Sequence, residues 1–316
     1  MTRGIGWTAV AGALLLALGA AVAAADAPGA VFGVGVLRRD GIIIPFGAFD
    51  GKRWSNNWPS PQNDLTVPIN VRDVPSRWWG PTRALQTWQA WTGEAAQSLR
   101  VLQPDWIEAR CLRQIGLRTD YRPVEPAPPR TTQPYPKDGL AVSPPQPVEP
   151  IAIVRPESEE ARALLNAVQE AFNKAERATE DEWGHPVSRR AREGREPDLD
   201  AVYAFGDYPR IYYVEAIRRY RILGQTADDC EAVGFGTGWF MKEGYNVRPL
   251  QMTVDLLRCD RRGANYMLPL GAMRIERTLY WLVQFAGWNN ERYVVVEIKQ
   301  KTVEAVVSTW GGSCSR

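Results

Sequence analysis

Hydrophobic and polar residues alternate along the last third of the chain, which is the pattern of half-buried β-strands. From residue 210 onward, apolar positions recur at every second residue. A turn centred on Gly244 and Tyr245 gives two of these strands one common apolar face, so the pattern predicts an antiparallel hairpin. The facing pairs predicted by this register are Val233–Leu256, Phe235–Val254, Thr237–Met252 and Trp239–Leu250.

Two later turns continue the same antiparallel arrangement. A turn at Asn289 and Asn290 is typical of hairpins and predicts the pairs Trp281–Ile298, Val283–Val296 and Phe285–Val294. A further turn at Gln300 and Lys301 predicts the pairs Val294–Val307, Val296–Ala305 and Ile298–Val303. Three registers agree with the alternation, so we expect a C-terminal antiparallel meander.

A helical pattern precedes these strands at residues 157–178. Its apolar residues recur at spacings of three and four and form one stripe: Ala161, Leu164, Leu165, Val168, Phe172 and Ala175. Acidic residues at its start favour a helix N-terminus. The stripe must be buried, and the apolar face of the meander is the expected partner. The predicted fold class is therefore mainly β, or α+β.

The N-terminal part reads as a small all-β domain over residues 26–121. Short β-rich runs are expected at 31–37, 42–49, 66–71, 84–92, 98–102 and 107–118. Turn signals separate the first of them, at residues 38–41 and at Asp50-Gly51. These short strands predict a barrel or a sandwich, with no topology assigned.

Ten of the 24 prolines lie within residues 122–150. Proline lacks a backbone N–H and fixes φ, so we expect this stretch to stay out of sheet ladders in an extended conformation. Its PxxP spacings also match ligands of aromatic-groove modules, but a stiff linker is the favoured interpretation. The predicted domains are therefore 26–121 and 151–316.

The first 25 residues are typical of a secretory signal peptide. Arg3 is the only charge before Asp26, an apolar stretch follows it, and small residues offer cleavage after Ala23 or Ala25. The alternative is an uncleaved membrane anchor, since the stretch is about long enough to span a bilayer. We expect a secreted or periplasmic protein with no membrane span after cleavage.

Charge and composition remove several function classes. The formal net charge is only +2, from 38 basic and 36 acidic residues, so no strong positive field for nucleic acid exists. There is a single histidine, His185, and this excludes metal sites or mechanisms that need two. Neither a phosphate loop nor a GxSxG motif occurs. We predict no metal and no cofactor.

The four cysteines are an even set in a chain expected to be exported, which favours disulfides. The hairpin register places Cys230 opposite Cys259, close enough to bond. Cys111 would then pair with Cys314, joining the all-β domain to the C-terminus. The alternative is a free, reactive thiol.

Two weaker features each have a structural and a functional interpretation. His185 follows a run of acidic residues, so it is a metal or acid–base candidate, but a solvated helix end is the favoured interpretation. In the predicted register, Gly234, Gly236 and Gly238 form a stripe that pairs across the hairpin with Asp255, Thr253 and Gln251 on its polar face. This stripe could admit a ligand, although sheet curvature or packing by another segment is favoured.

Tryptophan is the one residue type that points to a ligand. Among thirteen tryptophans, Trp78 and Trp79 are adjacent, and neighbours on a strand face opposite sides, so one is a candidate exposed glycan platform. The leading hypothesis is an exported, non-enzymatic protein that binds a cell-envelope component, such as a glycan or a protein. The alternatives are a secreted carbohydrate-active hydrolase using Asp/Glu general acid/base chemistry, and a carrier with a closed apolar cavity.

Overall fold

The computed structural model describes residues 31–56, 86–92, 95–130, 132, 134–221 and 230–314. This part of the chain consists of antiparallel sheets with two helices, which confirms the predicted mainly β or α+β class. The strands divide into three sheets of seven, five and four members. No helix among the described residues is long and apolar enough to cross a membrane.

The seven-stranded sheet closes into a barrel in the order β1-β7-β4-β5-β6-β2, because β2 also pairs with β1, and β3 extends from β2. Its strands are β1 (Val31–Arg38), β2 (Ile42–Asp50), β3 (Trp54–Ser55), β4 (Thr87–Thr92), β5 (Ala95–Ala109), β6 (Leu112–Thr119) and β7 (Lys137–Ser143). The predicted turns after β1 and β2 are present, with positive φ at Gly41 and Gly51. The expected run at 107–118 is split, because Arg110 and Cys111 have positive φ and turn the chain.

Strand β7 corrects the expectation for the proline-rich stretch 122–150. It pairs with both β1 and β4 inside the barrel, so this stretch does contribute a sheet ladder. The ten prolines all lie outside residues 137–143, on either side of the strand, where they leave every ladder N–H in place. The predicted run at 66–71 lies outside the described residues.

The five-stranded sheet has the order β12-β11-β10-β9-β8 and carries the helices. Its strands are β8 (Ala152–Val154), β9 (Asp198–Phe205), β10 (Arg210–Arg221), β11 (Cys230–Glu243) and β12 (Asn246–Leu257). The long helix α1 (Glu159–Trp183) begins where Ser158 Oγ accepts a hydrogen bond from the Ala161 N–H. The short helix α2 (Arg189–Arg192) follows. As predicted, α1 buries Ala161, Leu164, Val168 and Phe172 against strands of the expected meander.

The four-stranded sheet has the order β13-β14-β15-β16 and lies between the other two sheets. Its strands are β13 (Tyr266–Ile275), β14 (Thr278–Ala286), β15 (Asn290–Ile298) and β16 (Val303–Ser313). Leu282 and Val295 point into a core shared with the barrel, whereas Trp281 and Val296 point into a core shared with the five-stranded sheet. The expected single meander therefore forms parts of two stacked sheets.

The predicted registers are correct near the turns of the β11–β12 and β15–β16 hairpins and shift away from them, whereas the β14–β15 register differs from the prediction along its whole length. Between β11 and β12, pairing near Gly244 follows the prediction, but a bulge after Trp239 shifts every later pair by one residue. Phe235 thus faces Asp255 instead of Val254. Between β14 and β15 the shift is two residues, which preserves the faces. Between β15 and β16, Val296–Ala305 and Ile298–Val303 are as predicted.

Both predicted disulfides are present. Cys111 bonds Cys314 with their Cα atoms 5.0 Å apart, and Cys230 bonds Cys259 with a Cα separation of 6.0 Å. The first links the β5–β6 turn of the barrel to the end of β16, across 203 residues of sequence. Two disulfides fit a protein that resides in an oxidising, extracellular compartment.

Candidate functional site

The structure gives different outcomes for the residues singled out in the sequence. Trp78 and Trp79 lie outside the described residues, so their role as a glycan platform stays a prediction. The four cysteines are all in disulfides, which leaves no free thiol in the chain. Within the described ranges, no group of three or more His, Cys, Asp and Glu residues is arranged to hold a metal ion.

His185 is not the solvated helix-end residue that we expected. Its side chain is only 2% exposed and meets the ring of Tyr220 edge-on at 5.2 Å. The Val187 N–H donates to Nδ1 at 2.9 Å, so the proton of the neutral ring resides on Nε2. Burial lowers the pKa of His185, with a contribution from Arg192. The histidine therefore acts as a neutral packing residue.

Charged groups next to His185 are paired with one another under the end of α1. Glu176 accepts from Arg218 Nη1 at 2.6 Å and from the Tyr220 hydroxyl, while His185 Nε2 lies 3.8 Å from Glu176 Oε1. Burial raises the pKa of Tyr220, and its hydrogen bond to Glu176 adds to this effect. This buried Glu176–Arg218 pair anchors the helix to the sheet, although Arg218 Nε is buried without a hydrogen-bond partner among the described residues.

The glycine stripe on β11 is covered by the helix. A Cβ atom built on Gly236 would lie 2.6 Å from Phe172 Cδ2 and 2.7 Å from Met252 Cε. Gly234 would similarly meet the Phe172 ring at 3.1 Å. The absence of side chains here allows the ring of Phe172 to approach the backbone, so packing by another segment explains the stripe.

An open cleft of about 610 Å³ separates the five-stranded sheet from the four-stranded sheet at one edge of the stack. Strands β12 and β16 are the edge strands of the two sheets, and both contribute to the cleft walls. We call this space the inter-sheet cleft. Cavities of several hundred Å³ with a few converging polar groups are the usual binding sites of proteins.

The deep wall of the inter-sheet cleft is aromatic. Tyr213 and Trp239 pair across β10 and β11, with ring centres 5.0 Å apart, and Phe285 of the four-stranded sheet lies 6.2 Å from Tyr213. The Tyr213 hydroxyl is buried without a hydrogen-bond partner among the described residues. Burial raises the pKa of Tyr213 well above its ordinary value, so this hydroxyl keeps its proton.

The outer part of the cleft is polar. Gln251, Thr253 and Asp255 follow one another on the exposed face of β12, and Thr253 hydrogen-bonds Thr237 through hydroxyls 3.0 Å apart. Burial alone raises the pKa of Asp255, because no charged neighbour acts strongly on it. Arg292 and Ser308 lie on the opposite wall. Hydroxyl, amide and carboxyl groups thus line one rim and a guanidinium the other.

Glu215 lies on the same face of the five-stranded sheet, one strand from Thr237. It is 2% exposed, and Oε1 accepts a 2.7 Å hydrogen bond from the Met267 N–H at the start of β13. Burial raises the pKa of Glu215 to about 7. The carboxyl therefore holds the two sheets together at the closed end of the stack.

The sequence did not identify this cleft, because the bulge after Trp239 reverses the predicted faces of β12. Without the bulge, Gln251, Thr253 and Asp255 face away from Phe235, Thr237 and Trp239. With it, polar and aromatic residues share one face, which is typical neither of a core nor of a solvated surface. A break in clean alternation near a bulge is the signal that could have located the site.

Comparison with protein-family models, with curated proteins and with solved structures finds no match to this chain.

Proposed function

We propose that this is an exported protein that binds a glycan of the cell envelope in the inter-sheet cleft, without transforming it. The observation that carries this proposal is the composition of the cleft, with aromatic rings at depth and hydroxyl, amide, carboxyl and guanidinium groups at the rim. Sugars combine apolar C–H faces with hydroxyl groups, so they need aromatic surfaces and planar polar side chains together.

Export is part of the same proposal. Residues 1–25 have the pattern of a signal peptide, cleaved after Ala23 or Ala25. The two disulfides support it, because structural disulfides persist in oxidising compartments. Sequencing the N-terminus of the protein secreted by its host would test the cleavage. An intact N-terminus on membrane-bound protein would contradict it.

Binding is tested on a glycan array with the full exported chain. We expect Gln251→Ala to weaken binding about tenfold, because a side-chain hydrogen bond to the ligand is lost. Gln103→Ala is the matched control, since Gln103 is also an exposed strand residue but lies in the barrel. Equal binding by both variants, or no glycan bound by the parent chain, would overturn the proposal. Trp78→Ala and Trp79→Ala test whether that pair contributes.

A hydrolase is the second candidate, favoured by two carboxyls with raised pKa values on one face of the five-stranded sheet. Glu215 is the candidate acid, because its pKa of about 7 leaves a large fraction of it protonated near neutral pH, and Asp255 is the exposed carboxyl. The engagement of Glu215 with the Met267 N–H favours a structural role instead. Shortening of a bound oligosaccharide that stops in Glu215→Gln would establish catalysis and replace the binding proposal.

A further inference from the structure

We propose that the glycan is acidic, and that Arg292 receives its carboxylate or sulfate group at the mouth of the inter-sheet cleft. This inference rests on the proposed function, because it names the class of ligand for the same site. Two features of the mouth support it: the placement of Arg292 between two aromatic rings, and the absence of an acidic partner for it among the described residues.

Arg292 occupies the middle of a row that crosses three strands. It pairs with Phe285 on β14 and with Trp310 on β16, so the three side chains lie side by side on the cleft face. The guanidinium carbon lies 5.9 Å from the centre of the Phe285 ring and 5.8 Å from that of Trp310. Aromatic neighbours on both sides restrict the guanidinium and limit the entropy that it loses on binding an anion.

No carboxylate neutralises Arg292 among the described residues. Glu304, the acidic residue on its own wall of the cleft, is paired with Lys299 instead. Asp255 on the opposite wall shows no effect of a nearby cation on its pKa, so the two charges are not paired. By contrast, Arg210 and Arg192 each have a carboxylate at 2.6 Å. The cleft therefore presents an unpaired cation at Arg292 between two aromatic rings, with the unpaired carboxyl of Asp255 on the opposite wall.

A second groove of about 440 Å³ lies near the cleft residues in the sequence, and we call it the arginine groove. It is lined by Leu256, Leu257, Arg258, Asp260, Arg262, Gly263 and Trp288. It shares no lining residue with the inter-sheet cleft, and consecutive strand residues such as Asp255 and Leu256 point to opposite faces of the sheet. The two spaces are therefore separate.

The arginine groove differs from the mouth in its charge pairing. Arg262 lies over the ring of Trp288 at 4.6 Å, and Trp288 is 61% exposed, but Arg262 Nε also lies 3.4 Å from the carboxylate of Asp260. Arg258 is exposed and has no ion-pair partner among the residues described. The stacked arginine of this groove is thus neutralised, so the inference rests on Arg292 at the mouth of the cleft.

The test uses matched pairs of ligands and of variants. Titration calorimetry on the full exported chain would compare uronic-acid oligosaccharides with the same oligosaccharides after reduction of their carboxyl groups, and with sulfated oligosaccharides. We expect the best acidic ligand to bind at least tenfold more tightly than its neutral counterpart. Arg292→Gln should remove this preference. Arg292→Lys should retain part of it, since lysine keeps the positive charge but cannot donate two parallel hydrogen bonds as a guanidinium does.

Arg113→Gln is the matched control, because Arg113 also stacks on an indole, that of Trp106 at 4.3 Å, but lies on the barrel. It should retain the full preference for the acidic ligand. If neutral and acidic forms bind equally, or if the preference survives in Arg292→Gln, the inference fails and the glycan-binding proposal stands. If no oligosaccharide of any kind binds, both fail. Preference for the sulfated over the carboxylated ligands would identify sulfate as the acidic group.

Discussion

The four-stranded sheet packs against the barrel on one face and against the five-stranded sheet on the other, and these two interfaces differ. Its barrel face is closed, with Leu282, Tyr293 and Val295 packed in one core with barrel residues. Its other face packs Trp281 and Val283 against the five-stranded sheet in one part, and opens into the inter-sheet cleft in another. One sheet thus provides a rigid interface on one side and a candidate binding site on the other.

Charged residues at the closed interface are buried and paired. Lys137 Nζ donates to Glu291 Oε2 at 2.8 Å, the two side chains are 3% and 2% exposed, and the Tyr293 hydroxyl donates to the same carboxylate. Burial lowers the pKa of Lys137, with Glu291 opposing that effect. The Cys111–Cys314 disulfide lies at this interface too. These charges contribute to architecture, because no solvent or ligand reaches them.

Charged residues at the open cleft are exposed and mostly unpaired. Arg292 and Asp255 have no partner among the described side chains. Pairing and burial of a charged side chain therefore distinguish structural from ligand-binding positions in this molecule, whereas the presence of a charge alone does not. Substitutions at Glu291, Glu215 and Gln251 test this distinction, with Glu304→Gln as a control and Lys137→Met as a compensating change.

The largest effect is expected at the closed interface, from Glu291→Gln. It leaves the Lys137 ammonium buried without a counter-charge, so the free energy of unfolding should fall by about 3–5 kcal/mol. Urea unfolding would measure the loss. Glu304→Gln removes the carboxylate of an exposed pair and should cost no more than about 1 kcal/mol.

A double variant distinguishes charge from packing at this position. Adding Lys137→Met to Glu291→Gln removes the isolated cation, so it should restore part of the lost stability. If Glu291→Gln and Glu304→Gln cost the same, the distinction between closed and open charges would be wrong.

Glu215 should produce the next largest effect, as a pH dependence of stability. Burial raises its pKa from 4.5 to about 7, so the carboxyl is protonated in both folded and unfolded chains below pH 4.5. Between pH 4.5 and 7 only the unfolded chain releases the proton, and the free energy of unfolding therefore falls as pH rises. The fall attributable to this group amounts to about 3 kcal/mol.

Glu215→Gln keeps an oxygen that accepts from the Met267 N–H but cannot ionise. We expect this variant to lose that part of the pH slope and to exceed the parent chain in stability above pH 7. Unfolding curves at several pH values from 4 to 8 would show it, with Glu304→Gln retaining the parent slope. Parallel curves for Glu215→Gln and the parent would contradict the raised pKa.

The smallest effect on stability is expected at the rim of the cleft. Gln251 is exposed on the edge strand β12, so Gln251→Ala should change the free energy of unfolding by less than about 0.5 kcal/mol. Thermal unfolding of the variant checks this value. A large destabilisation would mean that Gln251 is structural, and would remove its use as a probe of binding.

The elements of this fold could largely be predicted, whereas their assembly could not. The α1 stripe, the β11–β12 turn and the Cys230–Cys259 disulfide follow from local patterns that tertiary contacts do not override, and the Cys111–Cys314 disulfide follows as the remaining pair. The two-residue shift between β14 and β15 leaves each side chain on its predicted face, since side chains alternate with a period of two. The one-residue bulge after Trp239 changes the predicted face, because it places Asp255 on the face of Phe235.

Two other features required long-range information. Strand β7 lies among prolines, and its pairing with β1 and β4 depends on residues about 50 to 110 positions away. The double burial of β14 and β15 does have a local sign, a nearly continuous apolar run at 293–298, but such a run does not identify which element covers each face.

By itself, the sequence determined the β-rich class, the helix that packs on a sheet, the pairing of four cysteines and the absence of a second histidine. These depend on residue type and short-range periodicity. The tertiary structure alone decided the closure of the barrel, the stacking of three sheets and the cleft between two of their edges. It also decided which charges are buried in pairs and which remain open, because burial depends on neighbours that are distant along the chain.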